Sequence, residues 1–294
     1  MFTEMLENRR LFSAAPGTPL SAVVDANGVL QVTGTDGGDQ ITISLVHVLY
    51  SQPNIKVTIA PVVGASTVAN SLVVQVPRAG VGKIRVHGLG GDDVITMDGS
   101  GGPFTGIKVA LFGDAGNDTL NGDAGDDMLV GGQGNDSIVG GNGNNILIGN
   151  GGNDTLTAGS GHNLMFGGFG NDQITVGDNN NLVDGGPGDD SITVGNGANV
   201  VFGSAGNDSI MAGAGADTLI GGFGADIITT TSDHAVIFAG PGNDTVNGVL
   251  GDTIWGGDGA DSLTPAPAPG NHIHEGDAPN VLFDEAIWRA LFLF

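Results

Sequence analysis

The sequence predicts an all-β fold: a parallel β-solenoid with two nine-residue units per coil, irregular N-terminal coils and a short C-terminal helix. Three observations predict it. Glycine is in great excess, a nine-residue period runs through half the chain, and one position of that period is always apolar. The 294 residues include 55 glycines against 12 phenylalanines, two tryptophans and one tyrosine. So much glycine serves backbone geometry, since it alone accepts positive φ without steric cost.

The period is unbroken from Gly113 to Asn247, which divide into fifteen consecutive units such as GDAGNDTLN (113–121), GGQGNDSIV (131–139), GGFGNDQIT (167–175) and AGPGNDTVN (239–247). The eighth position is aliphatic or methionine in all fifteen, from Leu120 to Val246. At 39% apolar content, chance would give that about once in a million sequences. The first six residues of a unit turn the chain, the last three form a short strand, and the eighth side chain points inward. A single coil cannot bury its aliphatic residues, so the coils must stack.

Four segments follow. Residues 1–20 form an N-terminal extension in which Pro16, Gly17 and Pro19 interrupt any apolar signal segment. Residues 21–112 are irregular solenoid coils carrying two isolated repeat copies, GTDGGDQIT (34–42) and GLGGDDVIT (88–96). Strands are expected there at Val29 to Thr33, Asn54 to Ala60, Ser71 to Val76, Lys83 to Val86 and Ile107 to Phe112, where β-branched residues are enriched. Residues 113–264 are the regular array, including an eight-residue unit (248–255). Residues 265–294 begin with alternating prolines, which end a sheet ladder. They finish with VLFDEAIWRALFLF (281–294), expected to form a helix that caps the array or serves as an export signal.

Numbering the units from Gly113 separates two classes. The sixth position of the odd units is Asp118, Asp136, Asp154, Asp172, Asp190, Asp208, Asp226 and Asp244. In the even units it is Asp127, Asn145, Asn163, Asn181, Asn199, Asp217 and Ala235. The true period is therefore eighteen, which fits two units per coil. Carboxylates stacked about 4.8 Å apart repel one another unless cations lie between them. Asparagines stack without charge, amide to amide. Cations are expected mainly along the odd edge, about seven to nine of them by the gaps in that column once Asp93 and Asp261 extend it. The even turns depart further from the pattern, with Asn179 and Asp233 in place of the fourth-position glycine.

The motif G-G-x-G-x-D-x-U-x, with U apolar, resembles the haemolysin-type (RTX) calcium-binding nonapeptide repeat. That resemblance implies a parallel β-roll with Ca²⁺ held between stacked turns by loop carbonyls and the sixth-position aspartates. Here these are Asp93, Asp118, Asp136, Asp154, Asp172, Asp190, Asp208, Asp226, Asp244 and Asp261. It also implies export of an unfolded chain, hence a secreted or cell-surface protein. All-oxygen ligands suit Ca²⁺ over zinc or copper. The chain has 8 basic and 32 acidic residues and a net charge of −24, which argues against a nucleic-acid partner. It has no cysteine, which excludes disulfides and thiolate metal sites. No apolar run is long enough to span a membrane.

No catalytic motif appears, and the chain is read as a non-enzyme. His272 and His274 in NHIHEGD (271–277) are read as a polar loop, short of zinc ligands. The leading expectation is a calcium-binding extracellular structural or adhesive protein. The alternatives are an ice- or carbohydrate-binding module using the Thr/Ser-rich outer face of the odd strands, or an accessory domain of an exported enzyme. The even strands instead point Met128, Ile148, Phe166, Phe202, Ile220 and Phe238 outward. That face is expected to be covered, with a homodimer as one way to cover it.

Overall fold

In a computed structural model, the residues described are 21–46, 54–61, 72–104, 106–231, 234–249, 251–264 and 272–274. The expected N-terminal extension, proline-rich linker and C-terminal helix lie outside them, as does Asp233. The protein is an all-β parallel solenoid. Its contacts divide it into two units, Met1–Ala158 and Gly159–Phe294.

In the first unit one sheet runs in the order Ser21–Val24, Val29–Thr33, Lys83–Gly90, Lys108–Ala115, Asp127–Gln133, Ile146–Gly151. The other runs Leu72–Pro77, Asn54–Pro61, Asp39–Val46, Val94–Asp98, Thr119–Asn121, Ser137–Gly141, Thr155–Ala158. All five strands expected within 21–112 form. Three strands depart from solenoid geometry: Ser21–Val24, Asn54–Pro61 and Leu72–Pro77 pair antiparallel. The chain leaves the coil after Asp39–Val46 and adds two strands to that sheet's edge. Asp39 therefore finds its neighbour Asp93 only 54 residues later. The next coil is also long, with 25 residues between Asp93 and Asp118, and its excess contains the short 3₁₀ turn Gly99–Gly101. From there the register is eighteen: Met128 pairs Ile146 and Leu129 pairs Leu147.

In the second unit the even strands are Leu164–Phe169, Leu182–Pro187, Val200–Ala205, Thr218–Phe223, Val236–Phe238, Thr253–Trp255 and His272–His274. The odd strands are Gln173–Val176, Ser191–Val194, Ser209–Ala212, Ile227–Thr230, Thr245–Asn247 and Ser262–Thr264. Every pairing given among these strands of the second unit is parallel. The eight-residue unit shortens the step, so Val236 pairs Thr253 and Val246 pairs Leu263. His272–His274 corrects the polar-loop reading. It is a strand parallel to Thr253–Trp255, with Ile273 between the two histidines in period-two alternation and the His274 ring stacked on Trp255 at 5.1 Å.

The core is the eighth-position row, and all fifteen of its residues are buried. A second inward row was not expected. After the odd strands of the second unit, the first position of the next unit is Val176, Val194 and Ala212 instead of glycine, and all three are buried. Their side chains thicken the core beside the odd strands.

Candidate metal centre

The turns stack because the strands do, and glycine lets them approach closely. A Cβ on Gly134, which has φ +120°, would collide with the Gly116 carbonyl of the turn above. One on Gly131 would collide with Oδ2 of Asp136 in the same turn. At Gly131 the first position is thus bare where the sixth-position carboxylate folds back over it.

Within each unit the sixth-position aspartates are tied one to the next by a hydrogen bond. In the first unit Asp93 N–H donates to Asp118 Oδ1 (2.8 Å), Asp118 to Asp136 (2.8 Å) and Asp136 to Asp154 (2.7 Å). In the second unit Asp172 donates to Asp190 (2.7 Å), Asp190 to Asp208, Asp208 to Asp226 and Asp226 to Asp244 (each 2.8 Å), and Asp244 to Asp261 (3.0 Å). All ten aspartates singled out in the sequence thus fall into a column within their unit. Nine are buried, and Asp261, at the last described rung, is partly exposed.

The other carboxylate oxygen is the informative one. Oδ2 of Asp93, Asp118, Asp136, Asp190, Asp208, Asp226 and Asp244 is buried and receives no hydrogen bond. Burying an anionic oxygen without a donor is costly, and these are stacked against their own kind. Burial, with neighbouring carboxylates adding to it, pushes Asp93 and Asp190 up to about 8. The same causes push Asp136 and Asp226 to about 7, and Asp118 and Asp208 to about 6. The backbone N–H of the preceding aspartate opposes the rise but does not cancel it.

Asp39 was missed in the sequence. It heads the column, donating its N–H to Asp93 Oδ1 at 2.6 Å. Its own Oδ2 is satisfied by Thr35, through the backbone N–H at 2.6 Å and the hydroxyl at 3.0 Å. The signal was present in GTDGGDQIT (34–42), hidden by the distance to the next copy.

The even turns use the same position differently. The Asn181 amide nitrogen donates into a cluster formed by Gly177 O (3.0 Å), Asn179 O (2.8 Å) and Asn199 Oδ1 (3.0 Å). Asn179 takes up the fourth-position glycine's left-handed conformation at φ +93°, which asparagine tolerates better than most residues. Asp127 and Asp217, the acids of this edge, again leave a buried Oδ2 without a donor.

The family model for the RTX calcium-binding nonapeptide repeat (4 copies) matches eight abutting or overlapping segments running from residue 110 to residue 265. The chain belongs to this family. No significant match is found among curated proteins. An RTX repeat is a calcium-binding β-roll element, and the residues present fit the ion. Every donor in the odd turns is a hard oxygen, and the buried Oδ2 atoms lack a positive partner. Among the described residues no three His, Cys, Asp or Glu side chains converge as a metal-binding group. An ion held between two stacked aspartates would therefore complete its shell from main-chain carbonyls, supplying the positive charge that the column lacks.

Proposed function

We propose that this protein is a calcium-dependent extracellular structural or adhesive β-roll, not an enzyme, that folds as Ca²⁺ enters the odd-turn column. The observation that carries the reading is the row of buried Oδ2 atoms without donors. The linked aspartates leave three gaps in the first unit and five in the second, in keeping with about eight ions. Secretion is the common habit of RTX repeat proteins, and high external calcium would complete there a fold that a calcium-poor cytosol leaves open.

Two features favour a scaffold over a hydroxyl-dependent binding face. The outer side of the odd strands is interrupted by Met211 and Ile227, 52% and 51% exposed. The outer side of the even strands in the second unit is apolar and part-exposed at Leu164, Phe166, Val200 and Phe202, a surface suited to a second copy of the chain. Among the described residues no helix is long and apolar enough to cross a membrane.

Circular dichroism in chelator and after calcium addition tests the reading. The expected result is coil without calcium and β structure with it, at about eight ions per chain. A chain equally ordered in both states, or one that takes up no calcium, overturns it.

A further inference from the structure

The asparagines of the even edge do more than avoid charge. Resting on the calcium reading of the aspartate column, we propose that the side-chain amide nitrogens of Asn163, Asn181 and Asn199 stand in for calcium ions. The residue type at the sixth position then decides, turn by turn, whether a metal is taken.

Each of these nitrogens sits among three oxygens. Around Asn163 they are Gly159 O (3.2 Å), Gly161 O (3.2 Å) and Asn181 Oδ1 (3.1 Å). Around Asn199 they are Gly195 O (3.0 Å), Gly197 O (3.4 Å) and Asp217 Oδ1 (2.9 Å). Asn181 repeats the set at 2.8–3.0 Å. In every case the oxygens come from the second and fourth residues of the same turn and the sixth-position side chain one coil on. An NH₂ group has two hydrogens, so three acceptors exceed what it can serve with straight bonds. Oxygens gathered in this way around one positive centre are how a hard cation is held, except that Ca²⁺ draws its ligands in to about 2.3–2.6 Å.

The even edge contains its own control. Asn199 directs both its N–H and its Nδ2 to Oδ1 of Asp217, each at 2.9 Å. Asp217 is the acid that ends this run of amides, and its remaining oxygen, Oδ2, is buried with no donor. Replacing amide by carboxylate therefore recreates, on the even edge, the condition of the odd column. Turn formation alone does not account for the amide's placement. Asn171 and Asn207, exposed at the fifth position, use a side-chain oxygen to accept from Asp189 N and Ala225 N one coil on.

The test is calcium content per folded chain, by equilibrium dialysis and atomic absorption, for wild type, Asn181→Asp and Asn181→Ala. Asn181→Asp is expected to hold one more ion than wild type. Asn181→Ala is expected to hold the wild-type number. A folded Asn181→Asp chain with no added calcium overturns the proposal while leaving the aspartate column intact. If Asn181→Asp does not fold, the reverse exchange decides: Asp208→Asn must lose calcium yet keep its β structure, and an unchanged calcium content overturns the proposal. A wild type without calcium removes the column reading and this inference together.

Discussion

Asp190 donates its backbone N–H to Oδ1 of Asp208 across 2.8 Å, eighteen residues on, while its own Oδ2 lies buried with no donor. One oxygen of each carboxylate stitches coils together and the other waits for a positive charge. The two roles come apart under substitution.

Asp190→Ala removes both. Asp172 N–H loses its acceptor, an unmet buried donor costing about 1–3 kcal/mol, and the gaps on either side of residue 190 lose a ligand. The expected outcome is a lower melting temperature and one to two fewer bound ions by dialysis, about one per gap. Unchanged calcium content contradicts it.

Leu219→Ala, in the fully buried row, acts on the core alone. A loss of about 2–5 kcal/mol is expected for a cavity of this kind, measured by denaturant titration at saturating calcium. Calcium stoichiometry in the folded state should not change.

Asp39→Asn separates the head of the column from its body. Because Thr35 already satisfies Asp39 Oδ2, this variant should keep the wild-type calcium content. Asp118→Asn should lower it. Equal losses from both variants would show that Thr35 does not close the column.

Acid should partly replace calcium. Asp190 and Asp93 rise from 3.8 to about 8 in the folded, metal-free chain. A carboxyl whose folded value lies above its unfolded value favours folding when protonated. That contribution is fully present below about 4 and lost as pH rises through about 8. In chelator, the β structure seen by circular dichroism should therefore increase as pH falls from 8 to 4. A calcium-free chain that stays coil throughout this range contradicts it.

Phe166→Asp together with Phe202→Asp places charge on the apolar, part-exposed outer face of the even strands. The expected outcome in analytical ultracentrifugation is a shift from dimer to monomer with calcium content retained. A wild type that is monomeric at high concentration rules out the dimer.

The regular array was legible because its signals are local and repeated. The eighth-position row fixes strand phase, and the alternation of Asp172, Asn181 and Asp190 fixes the two-unit coil. The N-terminal strands were legible as strands but not as antiparallel ones. Pairing of Asn54–Pro61 with Asp39–Val46 is a long-range choice that composition does not encode. Asp39 went unseen because sequence distance hid a neighbour that the fold restores. The amide-to-amide stacking of Asn163, Asn181 and Asn199 was legible in the sequence, whereas the turn carbonyls that the Asn181 amide also meets were not, because they depend on how the turn folds back on itself.

The register of eighteen also constrains how such a chain can change length by mutation. Deleting one whole coil, for example 185–202, leaves Gly167–Asp184 followed by Gly203, so aspartate still meets aspartate and amide still meets amide. Deleting nine residues exchanges the edges below the cut, setting carboxylates under asparagines and cation-seeking oxygens under amides. Insertions and deletions that survive should therefore come in whole coils, and a population of related chains should differ in multiples of eighteen far more often than of nine.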